Sequence, residues 1–480
     1  MQSPGSSRQY KFCLAQYKEV YRMKTKRYEI DMTQGSLPIN ILRFALPFMA
    51  AGIIQLLFNA ADVVVVGKFV GDASQAAVTS TGSLVNLLIG LFMGLGVGVN
   101  VMVARSLGRG DQSQISAVVH TSILIGIIAG CALTALGEVG ARWFLLLMGS
   151  PDNVIDLSAL YLRVYFIGLP GALVYNFGSA LLRARGDTKR PMYFLTFAGV
   201  VNVVLNLIFV IVFHWDVAGV AAATAISKYV SAILVVWCLM NETGPLHLDL
   251  TRLRVDWTVL KDIARIGLPA GLQGSMFSLS NVTIQSSINS MGGIVMAGSG
   301  AATNIGGFVY TTGNAFYQAA MTFTSQNYGA GKLKRVDRVF GWCQLFGILF
   351  PLASGVFSCV FASQLLGLYS NDPAVIQQGI TRLFIITLFY FLCGFLEVNS
   401  GMLRGLGHSM LPMVVTLIGT CGFRIVWVTT VFDHFLTPQS LYLCYPVTWF
   451  VTGVALLVCF VIIRHRLRAK AGHDEALTRS

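Results

Sequence analysis

The stretch LLRARGDTKRPM, residues 181–192, separates two long apolar segments, and MLRGLGHSMLPM, residues 402–413, separates two more. Leu182, Arg183, Gly186, Pro191 and Met192 recur 221 positions later as Leu403, Arg404, Gly407, Pro412 and Met413. The same spacing carries Gly108 and Gly110 onto Gly329 and Gly331, and within one residue it carries Pro47 and Asn59 onto Pro269 and Asn281. A constant offset through four separated segments marks an internal duplication. Each copy holds six apolar segments, an even number, so both copies enter a membrane in the same sense and are related by an axis along its normal. Parallel halves of this kind are a transporter architecture with a cavity between two lobes.

Composition requires the membrane. The chain has 480 residues, 55% hydrophobic and only 11% charged, against about 25% charged in a soluble domain. That excludes a cytosolic enzyme. Stretches of about 20 or more mostly apolar residues are predicted as helices over 39–66, 77–104, 115–137, 156–182, 191–214, 217–241, 260–287, 294–325, 336–362, 375–403, 412–435 and 440–463. The predicted fold is an all-α integral membrane protein of twelve helices. It divides into an extension (1–38), an N-lobe (39–241), a polar linker (242–259), a C-lobe (260–463) and a basic tail (464–480).

The net charge of +13 does not indicate nucleic acid, because the basic residues sit in short clusters between spans rather than along one face with aromatics. They are topology signals. Most of the 34 Lys and Arg fall on one side of the predicted layout, with Lys68 and Arg142 on the other, which places both termini in the cytoplasm of a plasma-membrane protein. The first residues lack a secretory signal pattern. Met23 begins a second basic start, so residues 1–22 are expected to be disordered or to precede the true start. The nine cysteines are scattered without a CxxC spacing, so neither a disulfide framework nor a zinc site is expected.

The duplicated LRxxG loop, GRGD at 108–111, SQNYGAGK at 325–332 and the double-six layout resemble the multidrug and toxic compound extrusion family, over about Met32 to Arg466. The resemblance implies two six-helix bundles around a V-shaped cavity, exporting cationic or amphipathic compounds in exchange for H⁺ or Na⁺. It implies no further cofactor, a lipid bilayer and small organic cations as partners, and a monomer. It also implies an N-lobe cation site, which by residue-by-residue matching falls on Asp62, Asn202 and Thr224. The family's second acid falls on Asn206, a departure that halves the negative charge and leaves the coupling ion open.

The residues themselves point to the same place. A carboxylate within a span costs about 2.5–3.5 kcal/mol on insertion scales, so Asp62 should face a cavity or a partner. Gln55, Asn59 and Asp62 share one stripe of the first helix, and Asn202 and Asn206 share a face of the fifth. Such oxygens suit a hard cation or a carboxyl that gains and loses a proton. Glu397 is the one carboxylate inside a C-lobe span away from its ends; it could bind a cationic substrate or a second ion, or form a structural salt bridge with Arg424. Arg424 continues a stripe of Thr416 and Thr420 and should face the interior. Lys228 lies four residues from Thr224; pointing inward it would favour ionised Asp62, although snorkelling is the commoner outcome. Asn281 and Gln285 repeat the Asn59 stripe without its acid, either lining the cavity or bonding between helices. Pro47 and Pro269 open corresponding helices as hinges or static kinks.

Other classes fit less well. A primary pump would need a GxxxxGK[ST] sequence, which is absent from the chain. A membrane transferase would need paired acids or a His–acid pair, and a channel a ring of like residues. The rival reading is a lipid-linked sugar flippase of the same broad superfamily. Such proteins line the cavity with several basic residues, whereas Lys228 and Arg424 are the central ones expected here.

Overall fold

The computed structural model describes residues 28–69, 72–147 and 152–479, with side chains left out over part of 63–89, 147–154 and 470–479. No β-strand occurs among the described residues. Twelve helical rods follow one another: α1 (Leu37–Phe69), α2 (Asp72–Arg109), α3 (Gln112–Leu147), α4 (Asp152–Ile167 and Leu169–Ala184), α5 (Lys189–Leu207), α6 (Asp216–Met240), α7 (Trp257–Ser290), α8 (Gly293–Gly329), α9 (Leu333–Val360), α10 (Pro373–Arg382 and Tyr390–Gly405), α11 (from Met410–Thr416 to Asp433–Phe435, through π turns) and α12 (Cys444–Arg479). This is an all-α, twelve-span membrane fold of two parallel six-helix repeats, as the duplication predicts. The expectation for residues 1–22 lies outside the described residues.

Among the described residues, nine helices are long and apolar enough to cross a membrane, and the α4 pair, bent by 45°, makes a tenth. The remaining two, α7 and α8, are rich in Gly, Ser, Thr and Asn. They can be polar because they pack inside: α8 buries a continuous run from Ala315 to Asn327. Small residues let such helices approach closely in lipid, where no hydrophobic effect drives them together.

The recurring loop motif is a helix stop. Gly186 and Gly407 adopt φ of +92° and +89°, a left-handed conformation that a Cβ disfavours. Around them Gly186 N donates to Arg183 O and Asp187 N to Leu182 O, while Gly407 N donates to Arg404 O and His408 N to Leu403 O. This is the same carbonyl-capping arrangement twice. Pro47 and Pro269 do not open their helices. They lie inside α1 and α7, which continue through them, because the expected starts at 39 and 260 fall two or three residues late and the proline rings sit a further two to three turns in.

The halves meet on the side of the bundle that carries the termini. A Cβ at Gly94 would stand 2.2 Å from Gly271 N, one at Gly98 2.3 Å from Ile263 O, and one at Gly108 2.1 Å from Gln326 O. Thr322 also donates across the seam to Asn100 Oδ1 at 2.9 Å. The linker is docked rather than loose: Leu246 and Leu248 are buried, Asp249 N donates to His120 Nε2 and Asp256 N to Thr121 Oγ1. At the other end α12 runs on through the basic tail, where Arg464 and Arg468 pair with Asp337.

Overpacking a well-filled contact costs about 1–3 kcal/mol. Gly94→Leu is therefore expected to lower the melting temperature of the detergent-purified protein, while Gly274→Ala, which meets nothing within 4 Å, should leave it unchanged; equal melting of the two variants would contradict the α2–α7 packing.

Candidate functional site

Four residues singled out from sequence come together in the first half. Asp62 on α1 accepts from Asn206 Nδ2 at 2.5 Å, Asn206 Nδ2 also reaches Asn202 Oδ1 at 3.4 Å, and Asn202 Nδ2 donates to Thr224 Oγ1 at 3.3 Å. The chain of bonds links α1, α5 and α6. Asn202 and Asn206 share a face because they lie one turn apart, and immediately after Asn206 the helix opens into a π turn, Ile208–Val212, a distortion frequent at functional sites. Asn206 is fully buried, and its Oδ1 has no hydrogen-bond partner. An orphan acceptor beside a carboxylate suits either a metal-like cation or a transferable proton.

Lys228 completes the surroundings. Instead of snorkelling, the more common outcome for such a residue, it turns inward: its Nζ is buried without a hydrogen-bond partner and lies 3.3 Å from the centroid of Tyr165. The α4 ring provides an aromatic face that a desolvated ammonium favours. Among the described residues Lys228 makes no ion pair with Asp62, so the carboxylate is not locked to a base. Gln55 and Asn59 are exposed on α1 and stand apart from the network.

The second half is built differently. Glu397 lines a narrow recess with Tyr310, Asn314, Tyr390 and Cys393. It does not pair with Arg424: that guanidinium donates to Asn281 Oδ1 at 3.2 Å, lies 4.2 Å from the Tyr445 ring centre, and keeps a buried Nε without a partner. Asn281 thus bonds between helices, whereas Gln285 bonds to Asn289 along its own helix and stays exposed.

Two further arginines enter this half that sequence reasoning did not place inside. Arg404 falls one residue beyond the predicted span 375–403, yet it is 5% exposed and donates to Tyr317 Oη and to Gln273 Oε1. Arg382 bonds Ser299 and lies over Tyr442. Together with Arg424 they outnumber the single acid. The duplicated motif held a signal for Arg404, since its counterpart Arg183 also turns in, onto Ser179 Oγ at 3.0 Å.

On the face with the termini, Arg190 pairs with Asp187 and Glu242, and Arg185 with Glu242 and Glu29 at 3.0 and 2.9 Å. Burial pushes the Asp187 and Glu29 carboxyls up from their ordinary values, against the pull of these guanidiniums. The cluster ties the segment before α1, the α4–α5 loop and the start of the linker into one body.

A twelve-helix duplicated bundle with a carboxylate held by amides inside its first half has the build of a secondary transporter. The MatE profile matches residues 47–208 and again 269–429, once for each half, and the chain belongs to this family. It is 28% identical over 432 residues to the probable multidrug resistance protein YoeA of Bacillus subtilis, covering 87% of this chain and 91% of that one. It is 25% identical over 391 residues to a protein named FAD transporter from Shewanella oneidensis, covering 80% and 86%. A solved outward-facing multidrug resistance MATE family transporter superimposes with a TM-score of 0.85 at 23% identity, over 91% of this chain and 98% of that one.

Breaking a buried ion pair from one side costs about 3–5 kcal/mol. Arg190→Gln, which leaves buried Asp187 without a partner and Glu242 with Arg185 alone, should therefore destabilise the purified protein far more than Arg252→Gln at an exposed pair. Similar melting temperatures for the two variants would show that the cluster contributes little.

Proposed function

We propose that this multi-pass membrane transporter is a secondary active antiporter exporting amphipathic or cationic organic compounds in exchange for H⁺ or Na⁺, by alternating access of an N-lobe (39–241) and a C-lobe (260–463). The observation that carries the reading is Asp62, held by Asn206 and, among the described residues, in no salt bridge within 4 Å, with Lys228 nearby and turned onto Tyr165. An ionised Asp62 accepts from Asn206 Nδ2; a protonated one has a hydroxyl that can donate to the unpartnered Asn206 Oδ1. The two charge states thus bond α1 to α5 differently. A charge state that prefers one arrangement of helices over another couples to a substrate with the opposite preference. The clustering of basic residues supports a plasma-membrane location with both termini in the cytoplasm.

In the cycle, ion binding at Asp62 from outside neutralises the carboxyl, rearranges the N-lobe and weakens the hold on substrate, which leaves; the emptied protein turns inward, releases the ion and reloads. One carboxylate where the family resemblance implies a pair favours a proton over tight Na⁺ binding. The Glu397 recess, with its tyrosine rings, gives the C-lobe a buried carboxyl that, among the described residues, has no salt bridge within 4 Å and could meet a cation. A second reading, an amphipathic organic anion as cargo, is supported by buried Arg382, Arg404 and Arg424 and by the name of the Shewanella relative. The flippase reading draws no support from the multidrug names among the relatives.

The test compares efflux of a fluorescent organic cation from vesicles for wild type and Asp62→Asn under imposed H⁺ and Na⁺ gradients. Gradient-driven export is expected to fall to background in the variant, and the gradient that drives the wild type names the ion. Undiminished export by the variant would eliminate the scheme.

A further inference from the structure

On the face that carries the termini, the duplication creates two equivalent seams between the halves, and they are closed by different means. At the first seam, the end of α8 meets the start of α1, and the segment before α1 fills the junction. Met32 N donates to Gln326 Oε1 at 3.2 Å, Asn327 Nδ2 donates to Met32 O at 3.0 Å, and Arg335 reaches the carbonyls of Gln34 and Gly35. Ile30 lies on Gly186, where an added Cβ would meet it at 2.7 Å.

At the second seam the 221-residue offset replaces Gln326 and Asn327 with Arg105 and Ser106. The chain before α7 does not fill this junction, because the linker is held on α3 by His120 and Thr121. A cavity of ≈ 290 Å³ remains, lined chiefly by Arg105, Ser106 and Arg109 of α2, Asp262 and Arg265 of α7, and Gly407. Arg105 takes the place of Ile30: an added Cβ at Gly407 would stand 2.5 Å from its Nη2.

The charges around this cavity are unpaired. Among the described residues none of the three arginines, nor Asp262, makes an ion pair within 4 Å. Arg105 is fixed by Gly405 O at 3.4 Å and by the Tyr328 ring, 5.1 Å away, and its buried Nε has no partner. Arg109 and Arg265 are exposed. Three guanidiniums facing one carboxylate across water-sized room form a receptor for an oxyanion, and the planar fork of Arg matches phosphate oxygens. The apolar inner wall, Met102, Ile266 and Leu406, lies on the membrane side.

We propose that this cavity binds a phosphate group that bridges α2 of the first half to α7 of the second and so favours the arrangement in which this face is closed. Separation of α2 from α7 would pull Arg105 and Arg109 away from Arg265, so the phosphate binds the closed arrangement more tightly and shifts the population toward it. The group comes either from the headgroup of an anionic phospholipid, since basic pockets between helices at this depth hold such headgroups, or from free phosphate. The inference stands on the seam alone and is independent of which ion or substrate is transported.

Calorimetric titration of the detergent-purified full chain with inorganic phosphate, with dihexanoyl phosphatidylglycerol and with dihexanoyl phosphatidylcholine tests it. Saturable binding of phosphate or of phosphatidylglycerol is expected, with the better ligand identifying the source. Arg109→Gln/Arg265→Gln, at two exposed positions outside the packed seam, should weaken it by about tenfold or more, and Asp262→Asn should tighten it by removing the one repulsive charge. Absence of saturable binding of both anions, equal binding of phosphatidylcholine, or unchanged affinity in the double variant would overturn the proposal.

Discussion

A carboxylate inside the hydrocarbon layer must be stabilised by its neighbours, and the first half of this protein is arranged around that requirement. Asp62 is held by amides and a hydroxyl rather than by a base: Asn206, then Asn202, then Thr224. A guanidinium in contact would have fixed the negative charge permanently. Hydrogen-bonding neutral groups leave both charge states accessible, and the spare acceptor on Asn206 gives the protonated state a partner of its own. The nearest base, Lys228, is occupied by the face of Tyr165.

Duplication supplies two matching scaffolds, and the chemistry is distributed unequally between them. Both LRxxG loops end a helix at a left-handed glycine, and both direct an arginine inward, Arg183 and Arg404. Beyond that shared geometry the halves part. The first holds one acid in a ring of amides. The second holds Arg382, Arg404 and Arg424, each against tyrosine, and Glu397 in a tyrosine-lined recess. The halves are thus unequal in chemistry within an equal frame, and the closely packed glycines of α2 and α7 join them along one seam.

The duplication, the spans and the meeting of Asp62, Asn202, Asn206 and Thr224 are legible because each rests on local rules. Apolar runs of membrane length, glycines required at helix stops, and residues one turn apart on a helix are properties of adjacent sequence. What escaped depends on where long side chains turn. Arg404 stands at a helix end, where water is the default destination, and Tyr317 and Gln273 from other helices give it an inner one; Arg382 stands inside α10 at its break, and Ser299 and Tyr442 from other helices hold it. Lys228 turns inward for the same reason, onto a ring from α4. The polar character of α7 and α8 hides their burial from a hydropathy count, and the sequence offers Arg424 as the structural partner of Glu397, while Asn281 on a third helix holds that guanidinium instead.

The central claim is that the charge state of Asp62 and the occupancy of the organic-substrate site oppose each other. Equilibrium binding of rhodamine 6G to the purified protein, followed by fluorescence polarisation from pH 5.5 to 8.5 with and without Na⁺, measures that opposition without a membrane or a gradient. Affinity that falls as protons or Na⁺ are added in the wild type, and loses that dependence in Asp62→Asn, is the outcome required. Affinity that is independent of both ions in the wild type would contradict the account.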